Sequence, residues 1–308
     1  MRSCGDGFAA VSAEGTATVL DPGLRVVGRH ELGDRVGDVA IAPDGVTWAW
    51  AAGGRLWFGT PGGTAVDVPV SGQVACRWQP SGRTVWVAVG TGDEVRVELR
   101  DRDHRVLGAV TVPDPFGGAM VMLCDHPDDD AVVLWVAAGQ DGQQSWLLTG
   151  GTTPVAELLP ADDCRPALFT PDGQALVAAD DERLALLAWP GGTGRGVLTW
   201  ADADPEAAAD RSDGPGEVLL LPGGLAAWTS DNGRIRTVDL ATASVVDEVC
   251  LAGHPVGTIA EVYPSLAGDE NPCTDFEFAV PGAGGTVLSV HRHRTLVLSA
   301  LADWVPAR

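Results

Sequence analysis

The sequence predicts an all-β protein, a closed ring of short, repeated, four-stranded antiparallel sheets. Three observations predict it. A proline turn recurs roughly every 40 to 50 residues, at Pro43, Pro80, Pro127, Pro171, Pro222 and Pro264. Each turn follows a short apolar run and precedes several more, separated by glycine-containing or acidic turns. Extended helical periodicity is hard to find, and the best helical stretch, "DPEAAAD" (204–210), sits inside a loop. Four short strands per unit, repeated, is the pattern of a β-propeller. Its sheets pack face to face, and closing the ring leaves only short, protected edges.

The elements follow in order. "VGDVAIAPDG" (36–45) is a short β-branched run ending in Pro43-Asp44-Gly45. Proline presets the φ of a tight reversal, and Gly45, Gly82, Gly173 and Gly224, two residues after their prolines, accept positive φ. The second strands read "VTWAWAA", "TVWVAVG", "AVVLWVAAG", "ALVAAD" and "LAAWTS". Trp48, Trp50, Trp86, Trp135 and Trp228 on these runs are read as core between neighbouring sheets. Third strands follow as "RLWFGT", "VRVELR", "SWLLTG", "RLALLAW" and "RIRTVDL", and fourth strands as "AVDVPV", "VLGAVTV", "PVAELLP", "RGVLTW" and "VVDEVCL".

Complete units run over 36–70, 73–113, 118–160, 164–200, 215–253 and 256–301. Residues 7–33 supply three further strands that align with the second, third and fourth strands of the others. The expectation is therefore one domain over 1–308, a propeller of seven blades of four antiparallel strands, with six or eight blades as alternatives. The first blade lacks a legible innermost strand. Either the C-terminal "LADWVPAR" completes it or the missing strand lies upstream of Met1.

"GRIRTVDLATASVVDEVCLAGHPVGTIAEVYPS" (233–265) resembles bacterial YVTN-type and WD40-like propeller repeats. "TVDLATASVV" is similar to their third strand, turn and fourth strand, and Gly253-His254 to the opening of a WD40 repeat. The chain departs from that pattern in having no Trp-Asp dipeptide and a single Gly-His. The resemblance implies a propeller and names no enzyme family, because such propellers include scaffolds, inhibitors, lyases and lactonases.

Charge narrows the partners. The net charge is -22, and all 20 basic residues are Arg. Such a field repels phosphate backbones and anionic membranes and attracts cations, so neither nucleic acid nor membrane is expected as a partner. "MRSCGDGFAA" has no apolar leader core, and a cytoplasmic monomer is the expectation. Cys4, Cys76, Cys124, Cys164, Cys250 and Cys273 form no C-x-x-C pair and are expected to be reduced.

In a propeller the loops entering the innermost strands gather at one mouth of the central channel, which favours a site there. Those loops carry Gln73, Asp114 and the long 201–216 stretch, and they offer Asp34, Arg35, Phe116, Asp162, Asp163, Arg165 and His254 as ligand-binding candidates. Two adjacent carboxylates, an arginine and a histidine suit polar or cationic ligands. The expected function is an interaction module that binds a protein or peptide through its acidic mouth. The alternative is a small-molecule hydrolase or lyase, with or without a metal, at the same place. No cofactor and no metal ligand is assigned, and a divalent cation is the one ion the carboxylates suit. The insertion "ADADPEAAADRSDGPGE" (201–217) reads as a solvated acidic loop rather than a calcium loop, since the spacing D-x-[DN]-x-[DN]-G is not met. A second acidic insertion, 266–277, reads the same way. Cys124 and His126 are the makings of an activated thiol, but near neighbours in a strand are poorly placed to form a dyad. His291 and His293 fall on one strand face, beside an expected basic turn.

Overall fold

The computed structural model describes residues 2–4, 7–12, 15–23, 25–127, 131–138, 142–150, 153–159, 165–170, 172–180, 182–205, 208, 215–221, 224–230, 235–250, 276–282, 286–291, 295–300 and 305–306. The strands fall into sheets in strict chain order. The first sheet holds β1 (Arg2–Cys4), β2 (Gly7–Val11), β3 (Thr16–Leu20) and β4 (Val26–Glu31). The second holds β5 (Val39–Ile41), β6 (Trp48–Ala52), β7 (Arg55–Gly59) and β8 (Ala65–Pro69). The third holds β9 (Val74–Trp78), β10 (Thr84–Gly90), β11 (Glu94–Asp101) and β12 (Val106–Pro113). The fourth holds β13 (Met120–Asp125), β14 (Val132–Ala137), β15 (Gln143–Thr149) and β16 (Val155–Leu158). The fifth holds β17 (Arg165–Phe169), β18 (Ala175–Ala179), β19 (Arg183–Ala188) and β20 (Thr193–Thr199), and a single helical turn α1 (Trp200–Ala203) follows it. The sixth holds β21 (Pro215–Leu221), β22 (Leu225–Ser230), β23 (Ile235–Asp239) and β24 (Ser244–Cys250). Last come β25 (Phe276–Gly282), β26 (Thr286–His291) and β27 (Thr295–Ala300), while β28 (Val305–Pro306) joins β24.

Every pairing is antiparallel. The innermost strands β1, β5, β9, β13, β17, β21 and β25 touch in that order, and β25 touches β1, which closes the ring. The architecture is the expected propeller, with two corrections. Six sheets, not seven, carry a full set of four blade strands, the sixth with β28 as a fifth, and the last sheet has three strands among the described residues. The strand expected near 256–263 lies outside those residues; among the described strands β25 is innermost in its sheet, where it meets β21 and β1. The first sheet, in contrast, has an innermost strand of its own. Arg2–Cys4 pairs with β2, Arg2 opposite Ala9. Three residues without an apolar run leave too little pattern to read. The C-terminal segment serves the sixth sheet instead of the first, with Val305 opposite Cys250.

Three of the recurring proline turns share one geometry. In the second sheet the Ala42 amide bonds the Thr47 carbonyl at 2.8 Å, and the Gly45 amide bonds Ala42 O at 2.8 Å. Gln79, Thr84 and Gly82 repeat this arrangement, as do Thr170, Ala175 and Gly173. Gly45, Gly82 and Gly173 take φ of 71°, 62° and 65°, where a side chain is strained.

The core lies between sheets. Val85 and Val87 of β10 pack toward the second sheet, and Trp86 and Ala88 toward the fourth. On β6, Trp48, Trp50 and Ala52 face the first sheet while Ala49 and Ala51 face the third. On β18, Ala175 and Val177 face the sixth sheet while Leu176 and Ala178 face the fourth. A strand buried on both faces needs no polar alternation, hence the continuous apolar runs of the second strands. Trp86 is 1% exposed and Trp228 fully enclosed.

Polar ties cross the same junctions. The Trp50 indole donates to Leu32 O at 3.0 Å. Arg77 on β9 reaches Asp38 of the second sheet at 3.0 Å and Asp125 of the fourth at 3.5 Å. Burial opposes the charge on Arg77, but the Asp38 and Asp125 carboxylates outweigh it and its pKa is raised. Arg236 of β23 pairs with Asp204, just after α1, with both side chains enclosed. Asp204 belongs to the insertion read as a solvated acidic loop, so that expectation is corrected for its first turn.

Trp86→Ala removes a fully buried tryptophan between the third and fourth sheets and is expected to cost about 3–5 kcal/mol. Thermal and urea unfolding measure it. A near-unchanged midpoint overturns the inter-sheet assignment.

Candidate functional site: the channel mouth

The chain passes from the outermost strand of one sheet to the innermost strand of the next at one end of the ring, the mouth. Asp34 and Arg35 lie there, exposed, before β5. Arg35 has φ 54°, and the Asp34 carbonyl accepts the Gly53 amide at 3.0 Å. Arg165 opens β17 at the same end, half-buried, with its backbone opposite Ala179. Phe116 stands before β13, but its ring packs against the core of the third and fourth sheets. These four therefore come from the second, fourth and fifth sheets. Asp162, Asp163 and His254 lie outside the described residues.

The mouth loop before β13 is organised by Asp114, which is 3% exposed. Its carboxylate accepts the Phe116 amide at 3.0 Å and the Gly118 and Ala119 amides at 2.8 Å each. Burial would raise its pKa, but these backbone N–H groups more than offset that and hold it below the usual carboxylate value. Such a loop is fixed by one side chain. It is a residue that sequence reasoning placed at the mouth without foreseeing its role; "PDPFGG", an Asp ahead of two glycines, is the signal for it.

Beside this loop runs a cleft of about 410 Å³, walled by Ser71, Gly72, Gln73, Gly90, Gly92 and Gly118 among others. Gly92 and Gly118 take φ of 95° and 99° and have nothing within 4 Å of where a Cβ would stand. The main chain is therefore open to a visitor. Asp93 and Glu94 on the adjoining turn are exposed, as is Glu182 on the corresponding turn of the fifth sheet.

Cys124 and His126 form no activated pair. Burial pushes the Cys124 thiol far up, and the nearby Asp125 adds to this against the smaller opposing effect of Arg77. His126 is used elsewhere. Its Nε2 and the Gly173 carbonyl are hydrogen-bonded at 2.9 Å, and its ring stacks on Trp189 and meets Phe169 edge-on. His126 thereby ties the fourth sheet to the fifth. In the acidic insertion, Asp202 bonds the Thr199 hydroxyl at 2.6 Å. Glu206, Asp210 and Asp213 lie outside the described residues, as do 266–275 of the second insertion and His293. Among the described residues no group of three His, Cys, Asp or Glu is placed to hold a metal ion, and no helix is long and apolar enough to cross a membrane.

No family model matches the chain, and no curated protein sequence matches it. Among solved structures the chain is similar to a chain described as Kuenenia stuttgartiensis hydrazine synthase, with a TM-score of 0.62, 14% identity and 98% of each chain covered. At that identity the likeness is one of fold.

Two outcomes are expected here. Cys124, half-buried with its thiolate disfavoured, is to react with iodoacetamide far more slowly in the native protein than after unfolding, as read by peptide mass mapping. Equal labelling rates in the native and unfolded protein contradict the raised thiol pKa. Asp114→Ala is to destabilise by about 1–3 kcal/mol, the cost of leaving buried donors unmet. Because the folded pKa of Asp114 is depressed, its contribution is full above the ordinary value near 4 and is lost as pH falls through the folded value. The gap in melting temperature between wild type and Asp114→Ala should thus close only in acid. A gap independent of pH counts against the ionised cap.

Proposed function

We propose that the protein is an interaction module that binds a protein or peptide segment of basic character across its channel-mouth face. The propeller fold fits an interaction role in general. The observation that carries the finer reading is the glycine-walled cleft beside the Asp114 loop. Its walls offer main chain rather than side chains, so an extended segment can lie close against them. Asp93 and Glu94 border the cleft, and the overall charge of -22 draws cations toward it. Preorganisation favours the same reading, because a loop already fixed by a buried carboxylate loses little freedom when a partner docks. The likeness to a chain of hydrazine synthase lends no activity to this chain. The hydrolase or lyase alternative rests on Asp162, Asp163 and His254, outside the described residues.

The test is calorimetric titration with a short arginine- and glycine-rich peptide, capped at both ends. Binding is expected to weaken steeply with salt. Asp93→Asn combined with Glu94→Gln should weaken it several-fold, and Gln73→Arg, which puts bulk and positive charge into the cleft, should abolish it without lowering the melting temperature. Binding that ignores both changes overturns the proposal.

A further inference from the structure

On the face opposite the mouth, the junction between the fifth and sixth sheets opens into a groove of about 620 Å³. Three charged side chains border it. Asp172 stands in the proline turn between β17 and β18, Arg195 on β20, and Asp239 at the end of β23. Asp172 Oδ1 accepts the Thr170 hydroxyl at 2.7 Å and the Gln174 amide at 3.0 Å. Asp239 Oδ1 accepts the Ala241 amide at 2.7 Å. Among the described residues, neither second carboxylate oxygen has a hydrogen-bond partner, and the exposed Arg195 has neither a hydrogen bond nor an ion pair. Leu186 and Leu240 supply an apolar wall, and the space above Gly224 is empty to 4 Å.

The repeat itself explains why the groove exists. At the junction of the second and third sheets the same place is filled. Asp44, which occupies the turn position of Asp172, receives Arg102 at 3.0 Å, and His104 stacks on Phe58 with ring centres 4.4 Å apart. Arg102 follows Asp101, the last residue of a third strand; Leu240 follows Asp239 in the sixth sheet. The left-handed turn position is His104 in one sheet and Ala243 in the other, with φ of 67° and 49°. Leucine and alanine thus stand where an arginine and an aromatic ring plug the earlier junction. Asp172 keeps the carboxylate but, among the described residues, receives no hydrogen bond or ion pair in place of Arg102; Arg195, across the groove, acts on it through its field alone.

We propose that this groove binds a basic amino-acid unit, free or as the C-terminal residue of a peptide. Its side-chain cation takes on Asp172 the place that Arg102 takes on Asp44, its stem lies along Leu186 and Leu240, and its carboxylate meets Arg195. A guanidinium and a carboxylate on one apolar stem match the groove's two signs of charge and its apolar wall. In the free amino acid the α-ammonium is left to Asp239; in a peptide the C-terminal residue has no such charge. The site stands on the opposite face from the proposed mouth interface and is independent of it.

The test uses the intact protein and three probes: L-arginine, agmatine, which lacks the carboxylate, and the tripeptide Gly-Gly-Arg. Two-dimensional NMR titration should move the amide signals of Gly196, Gly224, Leu240 and Ala241 with L-arginine or Gly-Gly-Arg. Tighter binding of L-arginine assigns the free amino acid, and tighter binding of Gly-Gly-Arg assigns a peptide terminus. Agmatine should bind about tenfold more weakly than the better probe, and so should that probe to Asp172→Asn or Arg195→Ala, a difference of about 1.4 kcal/mol. Asp172→Asn retains an acceptor for Thr170 and Gln174, and unchanged melting of both variants checks the fold. Absence of shifts at these amides, or shifts that survive both substitutions, overturns the proposal.

Discussion

The structure depends on one constraint: each second strand must be covered on both faces by neighbouring sheets. A four-stranded sheet has two faces and only its own side chains to cover them, so no blade here is complete alone. Trp86, pointing forward to the fourth sheet, and Val85 and Val87, pointing back to the second, show how one strand serves two interfaces. The same division holds on β6 and β18. Burial of this kind makes the ring cooperative, because a gap at one junction exposes apolar surface on two sheets.

Polar groups add register to that packing. Arg77 lies between carboxylates of the sheets on either side, His126 reaches the Gly173 carbonyl across a junction, and the pair Asp204–Arg236 sits where water is excluded. The desolvation cost of such pairs is large, and removing one partner leaves the other buried and uncompensated. The exposed pair Arg105–Asp103, with both side chains mostly in solvent, has no comparable consequence. These buried groups therefore fix each sheet against the next, and this leaves the loops at the mouth and the outer grooves to face partners.

The fold was legible because its determinants are local. Pro-x-Gly turns and apolar second strands each declare themselves within about ten residues, and their recurrence names the architecture. The count of blades was less legible. β1 is three residues long and carries no apolar run, and β28 is only two residues long. The candidate site was legible in part. Loop position placed Asp34, Arg35 and Arg165 at the mouth, yet Phe116 turned inward, because an aromatic ring beside Gly142 finds a gap to fill. Asp204 reads as one carboxylate among many in its insertion; only the long-range approach of Arg236 distinguishes it. The groove between the fifth and sixth sheets was invisible for a similar reason. It arises from what Leu240 and Ala243 lack, and that shows only when equivalent turns are superposed in space.

The way β28 is placed bears on how the ring is fastened. In a ring whose two chain ends share one sheet, backbone hydrogen bonds lock the circle. Here, among the described residues, the first sheet is built from the N-terminal strands alone, and β28 adds to the outer edge of the sixth sheet. The described joint between β25 and β1 is a contact of packed sheets, with no ladder running across it. Such a ring is a clasped bracelet rather than a welded one. Tension applied to its ends loads side-chain packing at the joint before any inter-strand ladder, so the molecule can part at one seam while each blade stays whole.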